Sequence, residues 1–485
     1  MTARTRIGAA IFLSSLGLGI LGDSLFHSAS YGLNLPLWTI GLFGGAIALS
    51  RWAGKPLGRA ATLIATPVLL FALCFFWREA PELKIANGTA IVLLVGAALV
   101  RSPQGDFARA SILDLTTKAL FAWVGLARDF VDLVTKDVPW PGGEGARQRA
   151  KAVFRGLILA TPLLIVFGLL FASADAVFGK DLGHYLSLEW LDMNSVWTTI
   201  FNLAIFAGLA GGLYRRMLMA EPKPDVPVAP PKIIKTIGLT EVAVTLSSLI
   251  LMFGGFVAVQ ARAFFGDAAY VRESVGLSYA EYARAGFFEL LAVAAIALGV
   301  LLGLHAVLER SARNQRVFAG LASGLVALVG VVVVSAMCRL SLYVQEYGLT
   351  ELRVYSAALI LWLAFVFVWL LATVLHGHRQ RFAFGALAGA CAAIAALNAI
   401  NPDALIARVN LASAHHPDLE YLQTLSLDAS AEIDRGLARL PAADANQLRS
   451  ALSEKWREET TSDWRSMNVA RWRYLHRGPA TISRP

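Results

Sequence analysis

The chain has 485 residues, 56% of them hydrophobic and only 16% charged, and its mean hydropathy is +0.58. That excludes an ordinary water-soluble domain and a disordered one. The net charge of +9 would suit a nucleic-acid binder, but the Lys and Arg residues sit in short loops between apolar runs, where they orient membrane spans, so no nucleic-acid partner is expected.

A bilayer core needs about 20 apolar residues per helix. Runs near that length centre on 7–26, 35–50, 61–77, 85–100, 156–175, 195–214, 238–261, 286–306, 317–337, 355–375 and 383–400. The fold class that follows is all-α: a polytopic transmembrane bundle of about eleven spans, with the lipid bilayer as its first partner. Residues 1–100 form a four-span N-terminal block. Its basic start, MTARTR, leads into an apolar stretch that is long for a cleaved leader and is read as the first span.

Residues 101–155 connect this block to the next. Ile112, Leu115, Ala119, Trp123, Leu126, Phe130 and Leu133 recur at steps of three and four, while Asp114, Lys118, Asp129, Asp132 and Lys136 fall on the other face. The pattern predicts an amphipathic helix over 107–135, lying at the inner membrane surface or docking a partner. PWPGGEG ends it, and the Pro-rich stretch 221–232 reads as a linker.

Residues 156–400 form a seven-span block, and residues 401–485 a polar tail of short amphipathic helices, expected to cap the outer mouth of the bundle or to dock an envelope protein. Trp464, Trp472 and Leu475 share one face there. The neighbours His415 and His416 point apart on a helix and are not read as metal ligands.

Basic residues mark alternate loops: Arg51, Lys55 and Arg59; Arg147 to Arg155; Arg215 and Arg216 with Lys232 and Lys235; Arg310 to Arg316; Arg379 and Arg381. The opposite loops, 78–84, 175–192 and 267–281, are mixed or acidic. The positive-inside rule then places the N-terminus in the cytoplasm and, after an odd number of spans, the tail outside the cell membrane.

Charged groups in hydrocarbon cost about 2.5–3.5 kcal/mol each and are usually paired or functional. Polar and charged residues near the outer ends of the spans are Asp175, Gln260, Arg262, Arg284, Glu289, Arg339, Tyr343 and Glu346, and together they form the candidate polar site. Glu289 is the sharpest. It lies roughly 7 Å along its helix from Arg284, either as a proton or cation site or in an ion pair with Arg262, Arg284 or Arg339. Asn202 and Asn398 are read as bonds to neighbouring helices. Cys74, Cys338 and Cys391 have no metal spacing, and HExxH, GxSxG and Walker A patterns are missing. No catalytic residue, metal or cofactor is therefore assigned, and the oligomeric state is left open.

The phrases TEVAVTLSSLILMFGGFVAVQARAFFG, YAEYARAGFFEL, YGLTELRVY and NPDALIARVNLASA, followed by DLEYLQTLSLDA, resemble a bacterial integral membrane family, domain of unknown function 4173, which is related to the 4153 group. The likeness spans roughly residues 155–430. It implies a bacterial multi-span membrane protein and assigns no activity or site residue. Two function classes remain: a transporter or permease-like protein using the outer polar cluster, which is preferred because charges in spans mark ion or substrate paths, and a non-catalytic envelope scaffold or sensor. An intramembrane enzyme is the third option.

Overall fold

The computed structural model describes residues 2–57, 59–99, 112–139, 193–219, 237–265, 287–309, 311–378, 381–413, 417–460 and 463–476, with 152, 156 and 160. The long helices at the expected spans are α1 (Ala3–Phe26), α2 (Asn34–Ala53), α3 (Arg59–Trp77), α4 (Pro81–Leu99), α6 (Met193–Leu218), α7 (Leu239–Phe265), α8 (Phe287–Val307), α9 (Ala312–Tyr347), α10 (Glu351–Thr373) and α11 (Phe382–Ile400). Between α4 and α6 in the chain lies α5 (Ile112–Asp132), continued by a π-turn at Leu133–Asp137. Five short helices close the chain: α12 (Pro402–Ser413), α13 (Leu419–Thr424), α14 (Ser430–Leu437), α15 (Ala442–Thr460) and α16 (Val469–His476).

Ten of the expected spans are thus helices, and the eleventh, 156–175, lies outside the described residues apart from Gly156 and Ala160. Among the described residues, eight helices are long and apolar enough to cross a bilayer: α1, α4 and α6 to α11. In α3 the apolar part is shorter, Leu63–Trp77. The α2 helix also falls outside this set, and α9 is longer than a span requires. Its 36 residues measure about 54 Å against a hydrocarbon thickness of about 30 Å. Arg339, Tyr343 and Glu346 therefore continue a helix rather than follow it in a loop.

Large apolar side chains stay exposed along these helices. Leu13, Leu63, Leu251, Val259, Ile296 and Val368 are each more than three-fifths exposed. Water would not tolerate such a belt on a monomer, whereas lipid tails solvate it at no cost. Several polar side chains between the helices bond to the backbone of a neighbouring helix. The indole N–H of Trp38 donates to Leu18 O (3.1 Å), that of Trp362 to Ala386 O (3.1 Å), and the Tyr214 hydroxyl to Leu42 O (2.6 Å). Each bond ties two helices by a group that hydrocarbon could not satisfy.

Two large apolar cores lie among the described helices. One holds Ile11, Leu18, Ala46, Leu49, Leu133, Ala210 and Tyr214, from α1, α2, the π-turn and α6. The other is built by α7 to α10 around Leu246, Leu301, Leu325, Ile360 and Phe367. The α3, α4 and α11 helices pack in series between α2 and α10. Close approach of α1 and α6 depends on Gly22, whose missing side chain leaves room for the Phe206 ring.

At the basic end, α5 docks on α6. Leu126 and Leu133 of the expected stripe are buried, and Trp123 and Phe130 are half-buried. The acidic face is not left to solvent, as its amphipathic pattern suggested. Asp129 binds Arg215 (3.2 Å) and Arg216 (2.7 Å), and the π-turn brings Asp137 between Arg215 (2.8 Å) and Arg4 (3.0 Å). Lys55 crosses from the end of α2 to cap the last carbonyl of α6, Leu218 O, at 2.8 Å. One carboxylate, almost wholly buried, therefore links the start of α1 to the end of α6.

Replacing Asp137 with Asn removes one charged hydrogen bond to Arg215, which keeps Asp129, at a cost of about 2 kcal/mol. Arg4 is 56% exposed, and Arg4→Ala should cost under about 1 kcal/mol. Melting of the purified protein followed by tryptophan fluorescence should show a clear drop in Tm for Asp137→Asn and little change for Arg4→Ala.

Candidate functional site

The tail folds as a helical cap with its own core: Ile406, Leu411, Leu422, Leu425, Leu427, Ile433, Leu448, Leu452 and Trp456 are all nearly or fully buried. Local caps set its turns. Asp418 accepts from Tyr421 N (2.9 Å), and Lys455 donates to the carbonyls of Gln423, Thr424 and Leu425 at 2.9 to 3.0 Å. Asn401, in the left-handed region at φ 58°, turns the chain from α11 into α12.

The cap seats on three turns of the bundle. On the α3–α4 turn, Asp428 Oδ2 accepts the backbone N–H groups of Glu79 (2.7 Å) and Ala80 (3.1 Å). Arg78 donates to Asn398 O (2.7 Å) at the end of α11 and lies 3.9 Å from Asp428. Glu79, buried, is bound by Lys84 (3.3 Å), Arg471 (2.8 Å) and Asn468. On the α9–α10 turn, Asn410 accepts from Leu349 N (2.7 Å) and donates to Leu349 O (2.8 Å), while Glu351 N donates to the Tyr421 hydroxyl (2.7 Å). On the α1–α2 turn, Leu33 N donates to Met467 O (3.0 Å).

Beneath the cap lies a group of acids. Asp403 is fully buried; its Oδ2 accepts from Ser426 N (3.0 Å) and from the Ser426 hydroxyl, while its Oδ1 has no hydrogen-bond partner among the described residues. Glu82 Oε2 and the Tyr355 hydroxyl are likewise buried and unbonded among them. Glu82, Glu351, Asp403 and Asp428 all act electrostatically on Tyr355, and Lys455 is the cation facing Asp403 and Glu351. Burial pushes the Asp403 carboxyl above its ordinary range, against the two Ser426 bonds, and the Glu82 charge pushes it further. Burial pushes Asp428 up to about 6, against the bonds from Ala80 and Glu79 and the charge of Arg78. Tyr421 is pushed up to about 12 by burial and stays protonated. The arrangement can hold protons: several carboxyl groups that act on one another electrostatically keep buried oxygens without donors among the described residues.

One amide pair lies inside the apolar layer next to this group. Asn87 and Asn398 donate to each other's carbonyl oxygens at 3.1 and 2.8 Å. Asn202 donates to Asp23 (3.1 Å) across α1 and α6. Both amides bond neighbouring helices, as expected from their positions in the sequence.

The residues singled out from the sequence are placed as follows. Glu289 is exposed in the first turn of α8, and no ion pair joins it to Arg339 among the described residues. Arg339 is buried on α9. Asp175 and Arg284 lie outside the described residues, as do the side chains of Gln260, Arg262 and Glu346. Tyr343 meets Tyr347 edge-on, and the Arg353 guanidinium lies over its ring at 4.0 Å. His415 and His416 are also outside the described set. No group of three or more His, Cys, Asp or Glu that could hold a metal ion occurs among the described residues.

The acids under the cap were not picked out by composition, yet a signal was present. YGLTELRVY supplies Glu351 and Tyr355, NPDALIARVN supplies Asn401, Asp403 and Asn410, and DLEYLQTLSLDA supplies Tyr421, Ser426 and Asp428. Three of the phrases that carry the family resemblance meet at one place in the fold.

Fold and site together define an integral membrane protein of many helices with a helical cap seated on one end. The family described as Domain of unknown function (DUF4153) matches residues 65–436, and the chain belongs to it. The match is thus to the 4153 group and starts within α3, not near residue 155. No curated protein and no solved structure matches the chain.

Asp428 binds its proton more tightly when folded than when unfolded. Its contribution to stability is therefore present below about pH 4 and lost as the pH rises through about 6. Melting curves of wild type and Asp428→Asn across pH 3.5 to 7 should show the wild type losing stability, relative to the variant, as the pH rises through that window. A constant difference would mean the carboxyl does not titrate there.

Proposed function

We propose that this chain is a permease-like protein of the bacterial cytoplasmic membrane, with its N-terminus inside and its cap outside, and that the acids Glu82, Glu351 and Asp403 form a proton-binding station at its outer mouth. One observation carries the reading: buried carboxyl oxygens of Glu82 and Asp403 and the Tyr355 hydroxyl lack partners among the described residues, directly beneath the cap. Such groups are costly to keep and mark ion pathways in membrane proteins. Orientation is supported by the placement of charge. Arg4, Arg215, Arg216 and Lys55 gather at one end, and the cap sits at the other.

A scaffold or sensor role is less well supported, because α5 and the apolar face of the cap are used within the chain itself. It retains one favourable observation. Trp464, Trp472 and Leu475 stand about half exposed on the cap, where an envelope protein could pack.

Topology is tested by reporter fusions. A phosphatase active only after export should be silent when fused after Met219 and active at the end of the chain. The opposite pattern would overturn the orientation. Permease activity is tested in proteoliposomes holding a pH-sensitive dye. An inside-negative potential should drive acidification that needs the protein and falls several-fold in Asp403→Asn. Acidification no faster than in empty vesicles would sink the permease reading and leave the sensor.

A further inference from the structure

A second feature lies on the side of the bundle. A groove of 990 Å³ runs between α10 and α11. Its floor is a row of small residues on α11, with Ala388, Ala392 and Ala396 all exposed within it. Its walls are aromatic. Trp369 and Phe365 stand against Gly385 and Gly389. Trp362 and Trp369 are held by indole bonds to the backbone oxygens of Ala386 (3.1 Å) and Arg381 (3.3 Å). These rings are clamped to the opposite helix and cannot fold down to fill the space.

The lining is asymmetric. It ends at the cap side on the apolar Leu397 and Ile400 and at the other side on Arg381. Arg381 is exposed, and no ion pair engages it among the described residues. An apolar channel with a cation at one end fits an amphiphile with one anionic head and an apolar tail. A partner helix would need no such charge. Basic sites between spans on the cytoplasmic side bind anionic lipid head groups.

We infer that the α10–α11 groove is a binding site for an anionic phospholipid, its phosphate at Arg381 and an acyl chain laid along Ala388 and Ala392. From Arg381 to Ala392 the helix rises about 17 Å, close to half the hydrocarbon thickness of about 30 Å. One leaflet's chain therefore ends near Ala392 and leaves Ala396 untouched. Assignment to the inner leaflet rests on the proposed orientation; the site itself does not.

Native mass spectrometry of the full chain, released from detergent with phosphatidylglycerol, phosphatidylcholine of the same chains, or inorganic phosphate, tests the site. Wild type should retain phosphatidylglycerol over phosphatidylcholine. Arg381→Ala should retain about fivefold less, the factor that about 1 kcal/mol for one basic side chain near an anionic surface represents. Ala388→Phe should lose both lipids, while Ala396→Phe, in the other half of the groove, should lose neither. Ala388 is exposed, so the larger side chain displaces no packed neighbour. An unchanged lipid-free Tm reports an intact fold, and Ala392→Leu replaces it if the Tm drops. Equal retention of the two lipids, adducts indifferent to Ala388→Phe, retention of phosphate alone, or a dimer peak that Ala388→Phe removes would each overturn the assignment, the last in favour of a second copy.

Discussion

The Asp428 carboxylate grips the turn between α3 and α4. The first N–H groups of a helix have no partner within it, and here the N–H groups of Glu79 and Ala80, just before Pro81 opens α4, both donate to Asp428. A side chain from the far end of the sequence thus does the work usually left to a local Ser or Asp. With the turn fixed, Arg78 reaches the exposed carbonyl end of α11, and Glu79 becomes the acceptor for Lys84 and Arg471. This contact positions the cap on α4 and α11, the α9–α10 and α1–α2 turns hold it elsewhere, and the acids of the site lie around it.

The remaining polar contacts follow from what lipid forbids. Hydrocarbon offers no hydrogen bonds, so charge is displaced toward the helix ends and most polar groups between them bond to a neighbouring helix. At the basic end the network of Asp129, Asp137, Arg215 and Arg216 fastens α5 and α1 to α6. At the other end the cap performs the equivalent task. The apolar layer between them is held by packing and by indole and phenol bonds to backbone oxygens.

The spans were legible because hydropathy over some twenty residues is a local property. So was the buried stripe of α5 through Leu126 and Leu133. The role of its acids was not, since nothing near Asp129 in the sequence announces Arg215 and Arg216 on another helix. The same holds for the site. Glu79, Glu82, Asp403 and Asp428 look like ordinary loop and tail charges, and only tertiary packing buries them. Glu289 stood out because it interrupts an apolar run, and its side chain is exposed on the described part of α8. The α9 helix was read short because its polar ends ended the apolar window without ending the helix.

The Asn87–Asn398 pair has a bearing on how this protein can change over generations. Each amide answers the other, donor to acceptor in both directions. A lone mutation at either position strands its mate in an apolar layer, while a joint exchange for two apolar residues of similar volume is nearly neutral. The path between those two states crosses a less fit intermediate. Descendants of a common ancestor should therefore keep both asparagines or neither, and the two sites, 311 residues apart in the chain, should be inherited as a single character.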